Sequence, residues 1–116
     1  MQINSPVFKE GDKIPHLYTC EGQDISPPLT WKEVPASTQS LALICYDPDA
    51  PHSWTHWVIF NLPPNSQGLA ENVPQTKRLM NGALQGLNDF HGMGYGGPCP
   101  PGGGTHRYYF ILYALD

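Results

Sequence analysis

Ser40-Leu41-Ala42-Leu43-Ile44-Cys45-Tyr46, then Asp47-Pro48-Asp49-Ala50-Pro51, then Trp54-Thr55-His56-Trp57-Val58-Ile59-Phe60-Asn61-Leu62 is the stretch that decides the fold. Two runs rich in aromatic and branched residues flank a loop whose prolines exclude both helix and mid-sheet pairing. The pattern predicts strands over Ser40–Tyr46 and Trp54–Leu62. A third strong run, His106–Leu115, has the same character. Weaker strand signals lie at His16–Cys20, Leu29–Trp31 and Lys77–Met80. The 12 glycines and 13 prolines interrupt every apolar run before it reaches helical length, and one helical turn is expected near Leu69–Val73, ended by Pro74. Several short strands separated by turn signals define an all-β sandwich or barrel.

Bulk properties narrow the function. With 116 residues the chain reads as a single domain, 1–116. A formal charge of -4 with only 6 Lys+Arg and no basic run argues against nucleic acid and against polyanionic membrane surfaces. The start, Met1-Gln2-Ile3-Asn4-Ser5-Pro6, has no basic and apolar leader pattern, and no apolar run approaches the ~20 residues of a membrane span. Cys20, Cys45 and Cys99 are odd in number, so reduced thiols in a cytoplasmic protein are expected, with Cys45 a buried small hydrophobe. No second thiol lies near any histidine, so neither a zinc site nor another cofactor is expected.

Strand periodicity then places chemistry. Successive side chains point to opposite faces, so His56 shares a face with Trp54, Val58, Phe60 and Leu62. His106 likewise shares one with Tyr108, Phe110, Leu112 and Ala114. Each histidine follows a proline-rich loop and heads an apolar row. If the two strands are neighbours, both imidazoles converge at the mouth of one core, the make-up of a small ligand site. Asp47 stands ready to orient an imidazole. The segment Gly92–Gly104 carries seven of the twelve glycines and can bring backbone N–H groups close to an anion. Each piece alone also has an ordinary reading: a satisfied core histidine, a solvated Asp-Pro turn, a flexible loop, and Arg107 as an ion-pair partner of Asp47 or Asp49. His16, His52 and His91 read as surface residues.

The motifs Asp47-Pro48-Asp49-Ala50-Pro51, Trp54-Thr55-His56-Trp57, Gly97-Pro98-Cys99-Pro100-Pro101 and His106-Arg107-Tyr108 resemble the signatures of the phosphatidylethanolamine-binding protein family, in its bacterial and archaeal, Raf-kinase-inhibitor-like branch. Ile25–Trp31, Asn88-Asp89-Phe90 and Tyr113–Asp116 carry the likeness further, so that it runs from about Phe8 to Asp116. The resemblance implies two antiparallel sheets with Greek-key-type connections and an anion cavity lined by Asp47, Trp54, His56, Gly97, Pro98, His106 and Tyr108. It also implies a non-catalytic protein for phosphate, phosphorylethanolamine-like head groups or carboxylates, used to inhibit or regulate kinases or serine proteases. Relative to the family, a further C-terminal strand and helix are expected to be missing after Asp116. The strand edge so uncovered suggests a homodimer. Two rival readings are a protease inhibitor acting through its surface and a small hydrolase using Asp47, His56 and His106. For the latter, Cys99 is the one nucleophile worth testing.

Overall fold

The structure, a computed structural model, describes residues 1–99 and 106–116. Among the described residues seven strands and one short turn of 3-10 helix follow in order: β1 Gln2–Asn4, the turn His16–Tyr18, β2 Leu29–Lys32, β3 Ser40–Asp47, β4 Trp54–Leu62, β5 Gly68–Leu69, β6 Leu84–Gln85 and β7 Tyr109–Leu115. They form two antiparallel sheets, ordered β1-β2-β5 and β6-β4-β3-β7. In the larger sheet β7 returns to lie beside β3, the Greek-key arrangement. The expected all-β, two-sheet class is therefore what forms.

The period of two in β3 builds the core and the site together. Leu41, Leu43, Cys45 and Asp47 are buried in alternation with half-buried neighbours. The carboxylate thus ends a row of core side chains. β7 pairs with β3 in unbroken register from Ser40 opposite Leu115 to Tyr46 opposite Tyr109, and brings Phe110, Leu112 and Ala114 against the core. Leu29 and Trp31 of the smaller sheet join the same cluster with Leu41, Leu43, Trp57 and Ile59. Two core indoles are matched: Trp57 Nε1 donates to Gln85 Oε1 at 2.8 Å, and Trp31 Nε1 to the Ser66 carbonyl at 2.7 Å.

β4 departs from simple alternation, and its core row is Trp57, Ile59 and Leu62 rather than the His56 row. Two bulges explain this. Cys45 opposes Trp57 while Tyr46 opposes Thr55, so His56 is the extra residue at one. At the other, Leu43 opposes Ile59 and Leu41 opposes Leu62, and Asn61 takes φ +57. A bulge re-aims side chains locally, which lets His56 and Trp57 both be buried.

Other sequence expectations are corrected. His16–Cys20 is not a strand, because Pro15 opens a turn in which Tyr18 and Thr19 N–H groups return to the Pro15 and His16 carbonyls. Lys77–Met80 forms only a bridge, Arg78 opposite Leu84. Leu69–Val73 holds no helical turn: Leu69 ends β5, and the Asn72 and Val73 N–H groups are taken by Ser26. His106–Tyr108 precedes the strand, which starts at Tyr109.

The reduced-thiol expectation is also overturned, since Cys20 and Cys99 form a disulfide with Cα atoms 5.4 Å apart. Cys45 is the free and buried thiol. The thiol-based reason for a cytoplasmic protein thereby lapses. Among the described residues no helix is long and apolar enough to cross a membrane. His16, His52 and His91 are exposed, as expected.

Candidate functional site

Asp47 closes β3, and His106 approaches it from the segment entering β7. Their side chains meet, with His106 Nδ1 donating to Asp47 Oδ2 at 2.5 Å. The other carboxylate oxygen accepts the Asp49 N–H at 2.8 Å, so both oxygens of this buried group are used. The next residue locks the same junction from outside. Arg107 gives Asp49 its backbone N–H at 2.7 Å and a two-pronged guanidinium contact at 2.8 and 3.0 Å. Hydrogen bonds from Arg107 hold the Asp49 carboxyl down at about 2. The structural reading of Arg107 is the one that forms, with Asp49 as its partner.

His56 is held differently. Its Nδ1 donates to the Gly96 carbonyl at 2.6 Å, and Gly96 N–H returns a bond to the His56 carbonyl at 2.9 Å. Burial lowers the His56 pKa, opposed in part by the Gly96 carbonyl and the Asp47 charge. The ring is therefore neutral near pH 7, with the proton on Nδ1 and Nε2 left as an acceptor.

Aromatic rings fill the space between these anchors. Tyr108 lies edge-on to His56 at 5.3 Å and stacks near His106 at 6.4 Å. Phe90 contacts both His56, at 5.3 Å, and Trp54, at 5.4 Å. Burial first, then Asp47, pushes the Tyr108 phenol up to about 12, so it keeps its proton. Trp54 Nε1 is buried with no hydrogen-bond partner among the described residues.

The glycine loop is seated by the 3-10 turn. Gly97 N–H donates to Asp24 Oδ1 at 2.7 Å, and Cys20 N–H donates to the Pro98 carbonyl at 3.1 Å. A Cβ on Gly97 would overlap the Tyr18 carbonyl oxygen, so only glycine fits this approach. Gly97→Ala is expected to lose about 1–3 kcal/mol in equilibrium denaturation because backbone must move to admit it. Wild-type stability in that variant would contradict this seating.

All seven residues expected to line the cavity are thus placed. Asp47, His106, Tyr108, His56 and Trp54 form one connected set, and Gly97 and Pro98 join it through Gly96. Pro100–Thr105, part of the same glycine-rich stretch, lies outside the described residues. Two cavities among the described residues lie away from this set: one of about 90 Å³ between Ser26, Asn72 and Tyr95, and one of about 680 Å³ between Trp31 and Pro64. Among the described residues no cluster of three or more metal-ligating side chains occurs.

Sequence reasoning did not assign Phe90, Gly96 or Asp24 to the site. The legible hint was Asn88, whose side chain folds the loop by accepting from the Phe90 and Gly92 N–H groups and donating to the Gly94 carbonyl. An asparagine opening a glycine-rich turn is a recognisable signal for such a loop.

A Greek-key two-sheet domain with an imidazole–carboxylate pair and a second buried imidazole at one edge defines a class of small β-proteins. Within it, this chain belongs to the phosphatidylethanolamine-binding protein family, whose sequence model matches residues 4–116. It is 58% identical over its whole length to a UPF0098 protein of Methanothermobacter thermautotrophicus, spanning 77% of that protein. It is 43% identical to the UPF0098 protein YbhB of Escherichia coli, spanning 78% of it. Among solved structures, Escherichia coli YbcL, described as a member of the mammalian PEBP family, matches with a TM-score of 0.90 and 40% identity over 98% of this chain and 76% of that one. A PEBP homologue from Chlamydia trachomatis, CT736, matches at 0.87 and 43% identity over 98% and 74%.

Proposed function

We propose that this protein binds a small oxyanion, of the phosphate or phosphorylethanolamine type, between His56 and His106, and that it does so without turnover. The observation that carries this reading is that both imidazoles commit Nδ1 to a protein acceptor, Gly96 O or Asp47 Oδ2. Nε2 of each is the nitrogen that this reading assigns to the ligand. The Trp54 N–H, joined to His56 through Phe90 and without a partner among the described residues, supports the same reading, since a buried donor left unpaired costs free energy that a ligand oxygen would relieve. Absence of turnover is supported by the thiols: Cys99 is bonded to Cys20, and burial raises the Cys45 pKa, so neither supplies a nucleophile. Regulation of a kinase or serine protease is the cellular use this reading suggests.

Binding is expected to be coupled to a proton. His56 is neutral in the free protein, and an anion at Nε2 favours its protonated, donating form. The His56 pKa, lowered when free, must therefore rise in the complex. Affinity is greatest below the free-state value and declines as pH rises through the bound-state value. Sulfate, a dianion throughout pH 5.5–8, isolates the protein's titration from the ligand's. NMR titration with phosphate, phosphorylethanolamine and sulfate should shift the Asp47, His56, Gly97 and His106 signals. His106→Ala should weaken binding about tenfold or more, as expected for one charge-assisted hydrogen bond. Sulfate affinity that stays flat with pH, or shifts unchanged in His106→Ala, would rule the mechanism out.

A further inference from the structure

The Cys20–Cys99 disulfide ties two segments that are 79 residues apart in sequence, and both cysteines are exposed. What it ties is not the core. Cys99 follows Gly96, Gly97 and Pro98, and Gly96 is the residue whose carbonyl fixes the His56 tautomer. Cys20 follows the 3-10 turn on which Gly97 rests. Three weaker contacts run parallel to the covalent bond: the Cys20 N–H to Pro98 O, the Gly97 N–H to Asp24, and the Tyr95 hydroxyl to the Tyr18 carbonyl at 2.8 Å. Neither Cys20 nor Cys99 belongs to the apolar cluster that includes Leu41, Leu43, Trp57 and Ile59. Opening the disulfide therefore frees the far end of the Gly96–Cys99 segment while the sheets persist.

The geometry points to a redox latch: the exposed Cys20–Cys99 disulfide sets the anion affinity of the His56 site by seating the Gly96 carbonyl, and a dithiol reductant opens it. This rests on the anion-binding reading given above. The chemistry is thiol–disulfide exchange. A thiolate of the reductant attacks one sulfur of the pair, the Cys20–Cys99 bond breaks, and a mixed disulfide forms. The second reductant thiol displaces the remaining cysteine. Two electrons and two protons pass to Cys20 and Cys99, giving two thiols, and the dithiol leaves as its own disulfide. Cys45 takes no part, being buried. With the latch open, Gly96 no longer holds Nδ1, the ring samples the other tautomer and orientation, and Nε2 is no longer prepaid in position for a ligand.

The test is a phosphate titration of the oxidised protein, of the same sample after dithiothreitol, and of Cys20→Ser/Cys99→Ser with and without dithiothreitol, each followed by NMR. The oxidised protein should bind. The reduced protein and the double variant should keep dispersed Trp57 and Leu43 signals, change at Gly96, Gly97 and His56 even without phosphate, and bind at least tenfold more weakly. Dithiothreitol should not alter the variant further, and reoxidation of the wild type should restore affinity. Equal affinity in oxidised and reduced protein overturns the latch alone. General unfolding on reduction also overturns it, because the disulfide would then be a staple of the fold. No binding by the oxidised protein overturns the anion-site reading, and the latch with it.

Discussion

Trp57→Ala is expected to remove most of the domain's stability. The indole is 0% exposed at the centre of the core, where it meets Tyr95 edge-on at 5.6 Å. Truncating a buried tryptophan costs about 3–5 kcal/mol through lost burial and the cavity left behind. The same change strands Gln85 Oε1, which accepts from Trp57 Nε1, and adds about 1–3 kcal/mol for a buried acceptor without a partner. Gln85 cannot turn away, because its amide nitrogen is held by the Pro74 and Thr76 carbonyls at 2.7 and 2.8 Å. The total is comparable with the whole stability of a small domain, about 5–15 kcal/mol. Equilibrium denaturation should show a broad or absent transition. Trp57→Phe keeps most of the apolar volume and should remain folded with a smaller loss. A sharp, near-wild-type transition in Trp57→Ala would mean that the core is not centred on this residue.

The second large effect belongs to the disulfide. In the chain-entropy description, joining residues 79 apart removes enough freedom from the unfolded chain to stabilise the fold by about 4–5 kcal/mol. Cys20→Ser/Cys99→Ser should therefore unfold at markedly lower denaturant while its native sheets remain intact in water. The cost falls on the unfolded state, so native core signals should barely change. A difference below about 1 kcal/mol would contradict this chain-entropy account of the bond. Together with the phosphate titration, the two readouts separate a global contribution from the local one at Gly96.

Much of the architecture was legible because strands are written in local alternation. β4 occupies Trp54–Leu62 as read, β3 extends the expected run by one residue to Asp47, and β2 extends Leu29–Trp31 to Lys32. β1, β5 and β6 were not read, and at two or three residues each they offer no period to detect. Their existence depends on partners supplied by β2 and β4. The Asp47 site was readable for a related reason: period two in β3 carries the row Leu41, Leu43, Cys45 onward to the carboxylate.

The sequence by itself determined the all-β class, the two central strands with their rigid connecting loop, and the residue types of the site. Those follow from side-chain shape, proline geometry and period, which act over a few residues. Tertiary structure alone decided which face of β4 enters the core, since the extra residue at His56 is defined only by the Cys45 and Tyr46 pairings across the sheet. It alone decided that Cys20 meets Cys99 and that Gly96 holds His56. Contacts between residues 40 to 79 positions apart are chosen by how the whole chain closes, and no local propensity encodes that closure.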